Sequence, residues 1–286
     1  MNKTNKKSGR ILSILAHPDD ESFGMGGTLT YYSQMGCEVT LVTATLGEAG
    51  KVAPMFLKEG QSVADLRREE LNCACKALGI QELILLGHRD SGMAGWAANQ
   101  HPQALINQPL EQLSGQIAAL IRQIEPDVVL TFDPIGGYRH PDHIHIHNTV
   151  VRAFQQIKAQ QAQPLQQAPF RLFYHLMPKH FLKAGIWTLR LQGKNPRKFG
   201  DSGDIDLVDI ANQNFPVNAK INYASVAQKQ VDASLCHASQ GGDSRGSGIQ
   251  GWMIKVFSRP IDTYMLGWPE PKLNQTVLKD LFEGLN

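Results

Sequence analysis

The 286-residue chain has no hydrophobic run that could cross a membrane, which requires about 20 mainly apolar residues. The apolar segment at residues 11–16, after a basic start, is also shorter than the core of a secretory signal. Net charge is small, because 28 basic and 26 acidic residues leave a formal charge of +2. Such a weak field does not favour nucleic acid as a partner. We therefore expect a cytoplasmic protein that binds neither membranes nor nucleic acid.

Cysteine is scarce as well. The four cysteines are Cys37, Cys73, Cys75 and Cys236, and none of them forms the Cys-x-x-Cys pair of a zinc ribbon or a redox site. Cys73 and Cys75 are two residues apart on a predicted helix, so their side chains should point to different sides. The sequence therefore predicts reduced, mostly buried thiols.

Short aliphatic runs alternate with amphipathic segments over the first half of the chain. Predicted strands lie at 11–15, 38–44, 83–86 and 128–132, and predicted helices at 28–35, 62–78, 110–124 and 144–159. Strands that alternate with helices are typical of parallel sheets. We predict an α/β fold in which helices cover both faces of a mainly parallel, Rossmann-like sheet.

The last third of the sequence is less regular. Segments 170–177 and 187–191 are candidate strands, segment 221–236 is a candidate helix, and the glycine-rich segment 241–248 is a candidate mobile loop over a site. We expect residues 1–160 to form the α/β core. Residues 161–286 would be a smaller, irregular part that completes the sheet and the substrate pocket within one structural domain.

A polar cluster follows the first predicted strand directly. Its sequence is Ala-His-Pro-Asp-Asp-Glu, with His17, Asp19, Asp20 and Glu21 as the groups able to bind a cation. Pro18 cannot donate to a strand ladder, so the strand should end there. Ligand sites of open α/β sheets form at the carboxyl ends of strands. The cluster therefore lies where a metal site is expected.

A second cluster follows the strand at 128–132. It contains Tyr138, His140, Asp142 and His143 after two glycines. A lone histidine is usually a surface or core residue, but two His-Pro-Asp sequences at two strand ends are an improbable coincidence. We therefore predict that the two loops close one metal site.

His17, Asp20 and His143 form a set of two imidazoles and one carboxylate. This set suits a catalytic Zn²⁺ with an open position for water, and it suits non-haem Fe²⁺ equally well. Asp19 would stand beside the metal as an acceptor for the proton of a water molecule. His143 and His147 have the spacing of helical zinc motifs, but the glutamate base of those motifs is absent because residue 144 is isoleucine.

Three further residues of the second cluster could belong to the site, and two of them, Asp142 and Tyr138, have a second interpretation. His140 precedes His143 by three residues and could face the same cavity. Asp142 could orient the His140 ring or cap a helix that begins at His143. Tyr138 could donate to a developing oxyanion or be a packing residue of the loop.

Together the two clusters resemble the LmbE/PIG-L family of metal-dependent de-N-acetylases. The resemblance extends to segments 45–50, 67–71, 89–95 and 237–240. The sequence Arg-Asp-Ser-Gly-Met-Ala-Gly at 89–95 is similar to that of GlcNAc-inositol deacetylases and mycothiol-conjugate amidases. At Arg139 the chain departs from these relatives, in which glycine is commoner.

The resemblance implies roles for individual residues. His17, Asp20 and His143 would be zinc ligands, and Asp19 would be the general base. His140 would stabilise the tetrahedral intermediate, and Tyr138 would polarise the carbonyl group. Positions that hold the sugar or lie near it correspond to Arg67, Asp90, Glu48 and Met93.

From these residues and this resemblance we expect a zinc hydrolase that removes an N-acetyl group from an N-acetylglucosamine-type substrate. An amidase of thiol conjugates would use the same residues. An iron(II) oxygenase would share the ligand set, although such enzymes are usually built on β-sandwiches. A non-catalytic sugar-binding module would have no need of Asp19 beside a metal. The oligomeric state is left open.

Overall fold

The computed structural model describes residues 9–160, 170–200, 202–242, 259–271 and 276–285. Within these ranges seven strands form one sheet of order β3-β2-β1-β4-β5-β7-β6. The strands are β1 (Arg10–Leu15), β2 (Glu38–Thr43), β3 (Glu82–Leu85), β4 (Val128–Phe132), β5 (Arg171–Leu176), β6 (Ala219–Asn222) and β7 (Ile261–Trp268). The helices are α1 (Asp20–Phe23), α2 (Gly26–Gln34), α3 (Val63–Leu78), α4 (Leu110–Ile124), α5 (Gly136–Arg139), α6 (Pro141–Gln160), α7 (Lys179–Leu191), α8 (Leu207–Asn212) and α9 (Ala227–Cys236).

The first five strands are parallel, as the alternating sequence predicts. Strand β1 lies between β2 and β4, so the chain moves outward in one direction to β3 and then returns to the other side of β1. This reversal makes the carboxyl ends of β1 and β4 neighbours. Ligands of doubly wound sheets bind at such a reversal. The α/β prediction is therefore confirmed, and the strand order brings the two histidine clusters to one place.

Buried aliphatic side chains of the strands and helices form one main core. Strand β4 is buried along its whole length, which agrees with its continuous apolar sequence. Helix α4 buries Leu113, Ile117 and Ile121, one residue per turn on its inner side, and it packs against α6. Among the described residues no helix is both long enough and apolar enough to span a bilayer.

Helix α3 begins and ends as the sequence predicts. The hydroxyl group of Ser62 accepts a hydrogen bond from the backbone N–H of Asp65, which satisfies a free donor of the first turn. The helix ends at Gly79, whose φ of 74° lies in the left-handed region that favours glycine. Helix α3 therefore has a defined register, and that register directs Arg67 inward.

Two predictions for the last third are wrong. Segment 187–191 is the end of helix α7 and not a strand, because Leu182 and Ile186 repeat at helical spacing on its buried side. The first residues of segment 221–236 belong to strand β6, in which buried and exposed residues alternate, and helix α9 begins only at Ala227. Strand β7, which the sequence analysis did not identify, pairs antiparallel with both β5 and β6.

The second part of the chain completes the sheet, since β5, β6 and β7 all come from it. The boundary at residue 160 remains a prediction. The candidate mobile loop at 241–248 lies outside the described residues except for Gly241 and Gly242.

The prediction of four reduced thiols is wrong for two of them. Cys73 of α3 and Cys236 of α9 form a disulfide, whereas Cys37 and Cys75 are free. The bridged residues are 163 positions apart, so only the packing of α3 against α9 brings them together. Cys75 is buried in the core, which agrees with the expectation that its side chain and that of Cys73 point to different sides of the helix.

Replacement of Cys73 by serine should lower the free energy of unfolding by about 2–4 kcal/mol, because the bridge closes a long loop in the unfolded chain. Chemical denaturation with and without dithiothreitol measures this effect. The reductant should destabilise the wild type and leave Cys73→Ser unchanged. Cys37→Ser, which alters a free thiol, serves as the control. A wild type indifferent to the reductant would show that the two cysteines are not bridged.

Candidate metal centre and active site

The loop after β1 turns sharply at Asp19. This residue has a φ of 111°, which is unusual for a side chain larger than glycine. The Asp19 carbonyl group accepts hydrogen bonds from the N–H groups of Ser22 (3.0 Å) and Phe23 (2.8 Å). The turn therefore leads directly into α1, and the Asp20 carboxylate folds back to accept the N–H of His17 at 2.7 Å.

The loop after β4 is held by the carboxylate of Asp133. Its Oδ1 accepts hydrogen bonds from the N–H groups of Ile135 (3.0 Å) and Gly137 (2.8 Å). A Cβ atom on Gly136 would lie 2.7 Å from that of His143, so this position requires glycine. Arg139 has a φ of 69°, which explains why glycine would suit this position. The loop ends where α6 begins and places His143 in the first turn of that helix.

Three side chains from the two loops meet at one point. Nδ1 of His17 lies 3.1 Å from Nε2 of His143 and 3.6 Å from Oδ2 of Asp20. Nε2 of His143 lies 3.2 Å from Oδ1 of Asp20. Ligand atoms about 3.3 Å apart are expected around a tetrahedral zinc ion with bonds of about 2.0 Å. Nδ1 of His17, Nε2 of His143 and the two carboxylate oxygens of Asp20 are thus close enough together to be candidate ligands of one metal ion.

In the His17 and His143 rings, the nitrogen atom that faces away from the shared point has a hydrogen-bond partner of its own. Nε2 of His17 lies 3.1 Å from Oδ2 of Asp142, and Nδ1 of His143 lies 3.2 Å from the carbonyl oxygen of Gly136. Both partners are acceptors, so the hydrogen atom of each neutral ring points away from the centre. The ring of Phe132 stacks on that of His143, with 3.9 Å between centroids. The inner lone pairs are therefore free to bind a cation.

The charges around this point also favour a cation. Burial of the His17 ring opposes its protonation, yet the carboxylates of Asp90, Asp142 and Asp20 raise its pKa well above the ordinary 6.5. Burial likewise opposes the charged Asp20, yet the His143 ring lowers the pKa of that carboxyl well below 3.8. The carboxylates thus favour a positive charge at this point, which is either a second proton on the His17 ring or a metal cation in place of that proton. Two further overlapping groups of ligand atoms lie within 4.8 Å of one another, namely His17 with His140 and His143, and His17 with Asp90 and Asp142.

Asp19 lies beside this point and lines the cavity. Its carboxylate accepts a hydrogen bond of 3.0 Å from the Arg67 guanidinium. Burial raises the pKa of Asp19 to about 6, although the charge of Arg67 opposes the rise. A carboxyl group with this pKa can both accept and return a proton near neutral pH.

His140 and Tyr138 also line the cavity. Nδ1 of His140 accepts the backbone N–H of Asp142 at 3.2 Å, so a neutral ring carries its hydrogen atom on Nε2. Burial and the neighbouring His17 and His143 rings lower the pKa of His140 well below 6.5, which keeps the ring neutral. Burial raises the pKa of Tyr138, which keeps its hydroxyl group protonated. Both side chains are therefore hydrogen-bond donors at the pH of a cell.

Asp142 differs from both of its sequence interpretations. Its carboxylate contacts the His17 ring and the N–H of Ser91 (3.0 Å), and not the His140 ring. It is not the cap of a helix that begins at His143, because α6 begins at Pro141. Asp142 thus orients a predicted metal ligand from the opposite loop. His147, at the helical spacing from His143, instead bonds the carbonyl oxygen of Phe132 at 2.9 Å.

Three of the four predicted sugar contacts, namely Arg67, Asp90 and Glu48, hydrogen-bond the neighbouring loops. The guanidinium of Arg67 donates to the carbonyl oxygens of Gly47 (3.0 Å) and Pro18 as well as to Asp19. Asp90 accepts the N–H groups of Ala49 (3.1 Å) and Gly92 (2.8 Å). The carboxylate of Glu48 accepts the N–H of Asp90 at 3.0 Å. Arg67, Asp90 and Met93 line the cavity, and the contacts of all four with a sugar remain predictions.

Sequence reasoning missed two polar pairs behind the site, of which the first is fully buried. Nε2 of His237 lies 2.6 Å from Oε1 of Glu21, and both side chains are fully buried. The other carboxylate oxygen of Glu21 accepts the N–H of Asp19 at 3.0 Å, which supports the strained turn. The carboxylate of Glu70 accepts hydrogen bonds from the N–H and the hydroxyl group of Ser239, both at 2.8 Å. From the sequence, segment 237–240 could be identified only by the family resemblance, because the residues that it contacts lie far away along the chain.

These side chains surround a cavity of about 440 Å³. This volume lies within the usual range for small-molecule sites. His17, Asp19 and His140 form the end next to the candidate metal ligands. The rest of the wall includes Ser239, Gln240 and Gly241 from segments that the sequence analysis named, and residues that it did not identify, namely Lys51, Trp96, Gly200, Ser202, Asp204 and Ile205.

Comparisons with known proteins identify the family of the chain. The profile of the PIG-L family, described as GlcNAc-PI de-N-acetylase, matches residues 12–154, or 143 of the 286 residues. A 1D-myo-inositol 2-acetamido-2-deoxy-alpha-D-glucopyranoside deacetylase of Acidothermus cellulolyticus is 35% identical over 239 residues, which cover 80% of this chain and 79% of the relative. The protein of the same name from Salinispora arenicola is 30% identical over 297 residues, covering 96% and 91%.

The fold is also found in a solved structure. N,N'-diacetylchitobiose deacetylase from Pyrococcus horikoshii superposes with a TM-score of 0.57 at 19% identity, over 91% of this chain and 84% of that chain. At this identity the likeness concerns the fold alone, whereas the family profile and the two relatives define the lineage. The chain therefore belongs to the PIG-L (LmbE-like) family and is an enzyme that hydrolyses amide bonds.

Proposed function

We propose that the protein is a zinc-dependent deacetylase that releases acetate from a small glycoside of N-acetylglucosamine. The observation that carries this proposal is the meeting of His17, Asp20 and His143, with Asp19 beside them at the wall of the cavity. The names of the relatives support an N-acetylglucosamine unit attached to inositol as the substrate.

The three side chains fit a divalent metal. Two inward lone pairs and one carboxylate form the facial set of a catalytic zinc site, and Asp142 supplies the outer hydrogen bond that such sites usually have. A bound zinc ion would acidify a water molecule and polarise the scissile carbonyl group. Fe²⁺ would suit the same ligands, so we propose zinc as the metal to be tested first.

The side chains of the cavity account for the movement of protons. Asp19 accepts a proton from the attacking water, whose oxygen forms a bond to the amide carbon. The Nε2–H group of His140 and the hydroxyl group of Tyr138 donate hydrogen bonds to the oxygen that becomes negative. Asp19 then returns its proton to the departing nitrogen as the C–N bond breaks. The products are acetate and a free amine.

A substrate panel tests this function. The purified, zinc-loaded protein is incubated with N-acetylglucosamine, its inositol and malate glycosides, diacetylchitobiose and a thiol S-conjugate, and free amine and acetate are measured. We expect equal amounts of amine and acetate from at least one acetamido glycoside. Cleavage of the S-conjugate alone would identify an amidase, and oxygen uptake with an oxo-acid would identify an oxygenase. No product from any acetamido sugar would overturn the proposal.

The cytoplasmic location stays a proposal. The Cys73–Cys236 disulfide is of a kind that persists mainly in oxidising compartments, so the compartment and the state of this bridge have to be determined together.

Loss of a metal ligand should remove both the metal and the activity. We expect His143→Ala to contain less than about a tenth of the wild-type zinc and to release no measurable acetate, since loss of a ligand destroys the facial set. Metal analysis after dialysis and an acetate assay provide the two readouts. The control is His180→Ala, which removes an exposed imidazole on α7. Full zinc content in His143→Ala would reject this ligand assignment.

Loss of the proposed base, Asp19, should lower the activity without lowering the zinc content. Asp19→Asn keeps the size of the side chain but cannot accept a proton, so we expect wild-type zinc content and a kcat lower by about 10²- to 10⁴-fold. Asp232→Asn, the same exchange at an exposed residue of α9, is the matched control. Near-normal turnover in Asp19→Asn would exclude Asp19 as the base.

A further inference from the structure

The cavity contains a second polar wall away from the metal ligands. Trp96, Ser202 and Asp204 line this wall, and none of them contacts His17, Asp20 or His143 among the recorded hydrogen bonds and ion pairs of the described residues. Trp96 lies in the loop after β3, whereas Ser202 and Asp204 belong to the connection between α7 and α8. The cavity of about 440 Å³ has room for more than a single acetamido sugar.

The indole ring of Trp96 is positioned by a hydrogen bond from its side chain and by close packing against Gly92. Its Nε1–H donates to Oδ2 of Asp204 at 3.2 Å, and its backbone N–H donates to the carbonyl oxygen of Met93 at 3.1 Å. A Cβ atom on Gly92 would lie 2.8 Å from Cε3 of Trp96, so the absence of a side chain there lets the indole pack closely. An aromatic ring that is positioned before binding loses little freedom when a ligand stacks on it.

The chemistry of this wall suits a hydroxylated ring. Trp96 is only half-buried, and the exposed ammonium group of Lys51 lies 5.9 Å from the centroid of its ring. The same ammonium group lies 3.4 Å from the hydroxyl group of Ser202. The ammonium group thus lies over a face of the indole, and the long, exposed Lys51 side chain has to move aside when a ligand stacks there. That face can then stack on the C–H face of a saturated ring, while the ammonium group, the Ser202 hydroxyl group and the Asp204 carboxylate can hydrogen-bond its hydroxyl groups.

We propose that Trp96 determines specificity as the platform for the second ring of the substrate. In this proposal the acetamido sugar occupies the metal end of the cavity. A cyclic polyol or a second pyranose, joined to it by the glycosidic bond, stacks on the indole, and Asp204 positions that indole. The proposal rests on the proposed function, because it assumes that an acetamido sugar occupies the metal end.

Variants of Trp96 test the platform. Trp96→Ala removes the stacking surface, and Trp96→Phe keeps an aromatic face but loses the donor to Asp204. Trp187→Ala is the matched control, because Trp187 is 63% exposed on α7 and does not line the cavity. Asp204→Ala and Asp204→Asn examine the positioning contact, since the amide of asparagine can still accept the indole hydrogen.

The first readout is a ratio of catalytic efficiencies. For each variant, kcat/KM for the inositol glycoside of N-acetylglucosamine and for diacetylchitobiose is divided by kcat/KM for free N-acetylglucosamine. Trp96→Ala should lower this ratio by about three- to tenfold, mainly through KM, which is the size expected for one aromatic contact. Trp96→Phe and Asp204→Ala should fall between Trp96→Ala and the wild type, and Asp204→Asn should restore the wild-type ratio. The same ratio measured with the malate glycoside, whose second unit is not a ring, should not change in any of these variants.

The second readout requires no turnover. Calorimetry of the zinc-loaded protein compares its affinity for glucosaminyl-inositol with that for glucosamine, which are the amine products of two panel substrates. If the wild type releases no acetate but Trp96→Ala still lowers the affinity ratio, the deacetylase function fails and the platform stands. If the wild type is active and neither ratio changes in Trp96→Ala, the platform fails and the function stands. Equal losses for the one-ring and two-ring ligands, or no binding of either, would also overturn the platform.

Discussion

The contacts between His17 and the loop after β4 are the constraint on which the site depends. Nε2 of His17 bonds to Asp142, and Nδ1 lies next to Nε2 of His143, so a single ring is in contact with two residues of α6. These contacts connect loops that are more than a hundred residues apart and bury several charges together. Buried charges are tolerated only where opposite charges or a metal compensate them. The same requirement that stabilises the loop pair also creates the candidate metal site.

The rest of the molecule supports this loop pair from behind. Arg67 pairs with the Asp19 carboxylate and donates hydrogen bonds to the backbone of two loops, at Pro18 and Gly47. Glu21 supports the strained turn at Asp19 and is itself held by His237, next to the bridged Cys236. The last third of the chain therefore acts on the active site through α9. The irregular part predicted from the sequence is in this sense integral to the catalytic architecture.

Much of the parallel core could be predicted, because short buried strands and amphipathic helices leave local patterns. Helix α4 and strand β4 have the predicted limits, and the cap at Ser62 forms as expected. The errors arose where local pattern was ambiguous. Segment 187–191 is apolar enough for either a strand or a helix, and strand β6 is only four residues long. Strand β7 was missed because its position in the sheet depends on antiparallel pairing with β5 and β6, and the sequence does not identify these pairings.

By itself the sequence determined which groups could bind a metal, because His17, Asp20 and His143 stand in strand-end clusters that local pattern reveals. Tertiary structure decided which partner each group has. Asp142 bonds His17 rather than His140, His237 bonds Glu21, Cys73 bonds Cys236, and Trp96 bonds Asp204 in the cavity wall. The physical reason is that such contacts join residues far apart along the chain, and their distance is set by strand order and helix packing. Residue type determines what a side chain can do, and the fold determines where it does so.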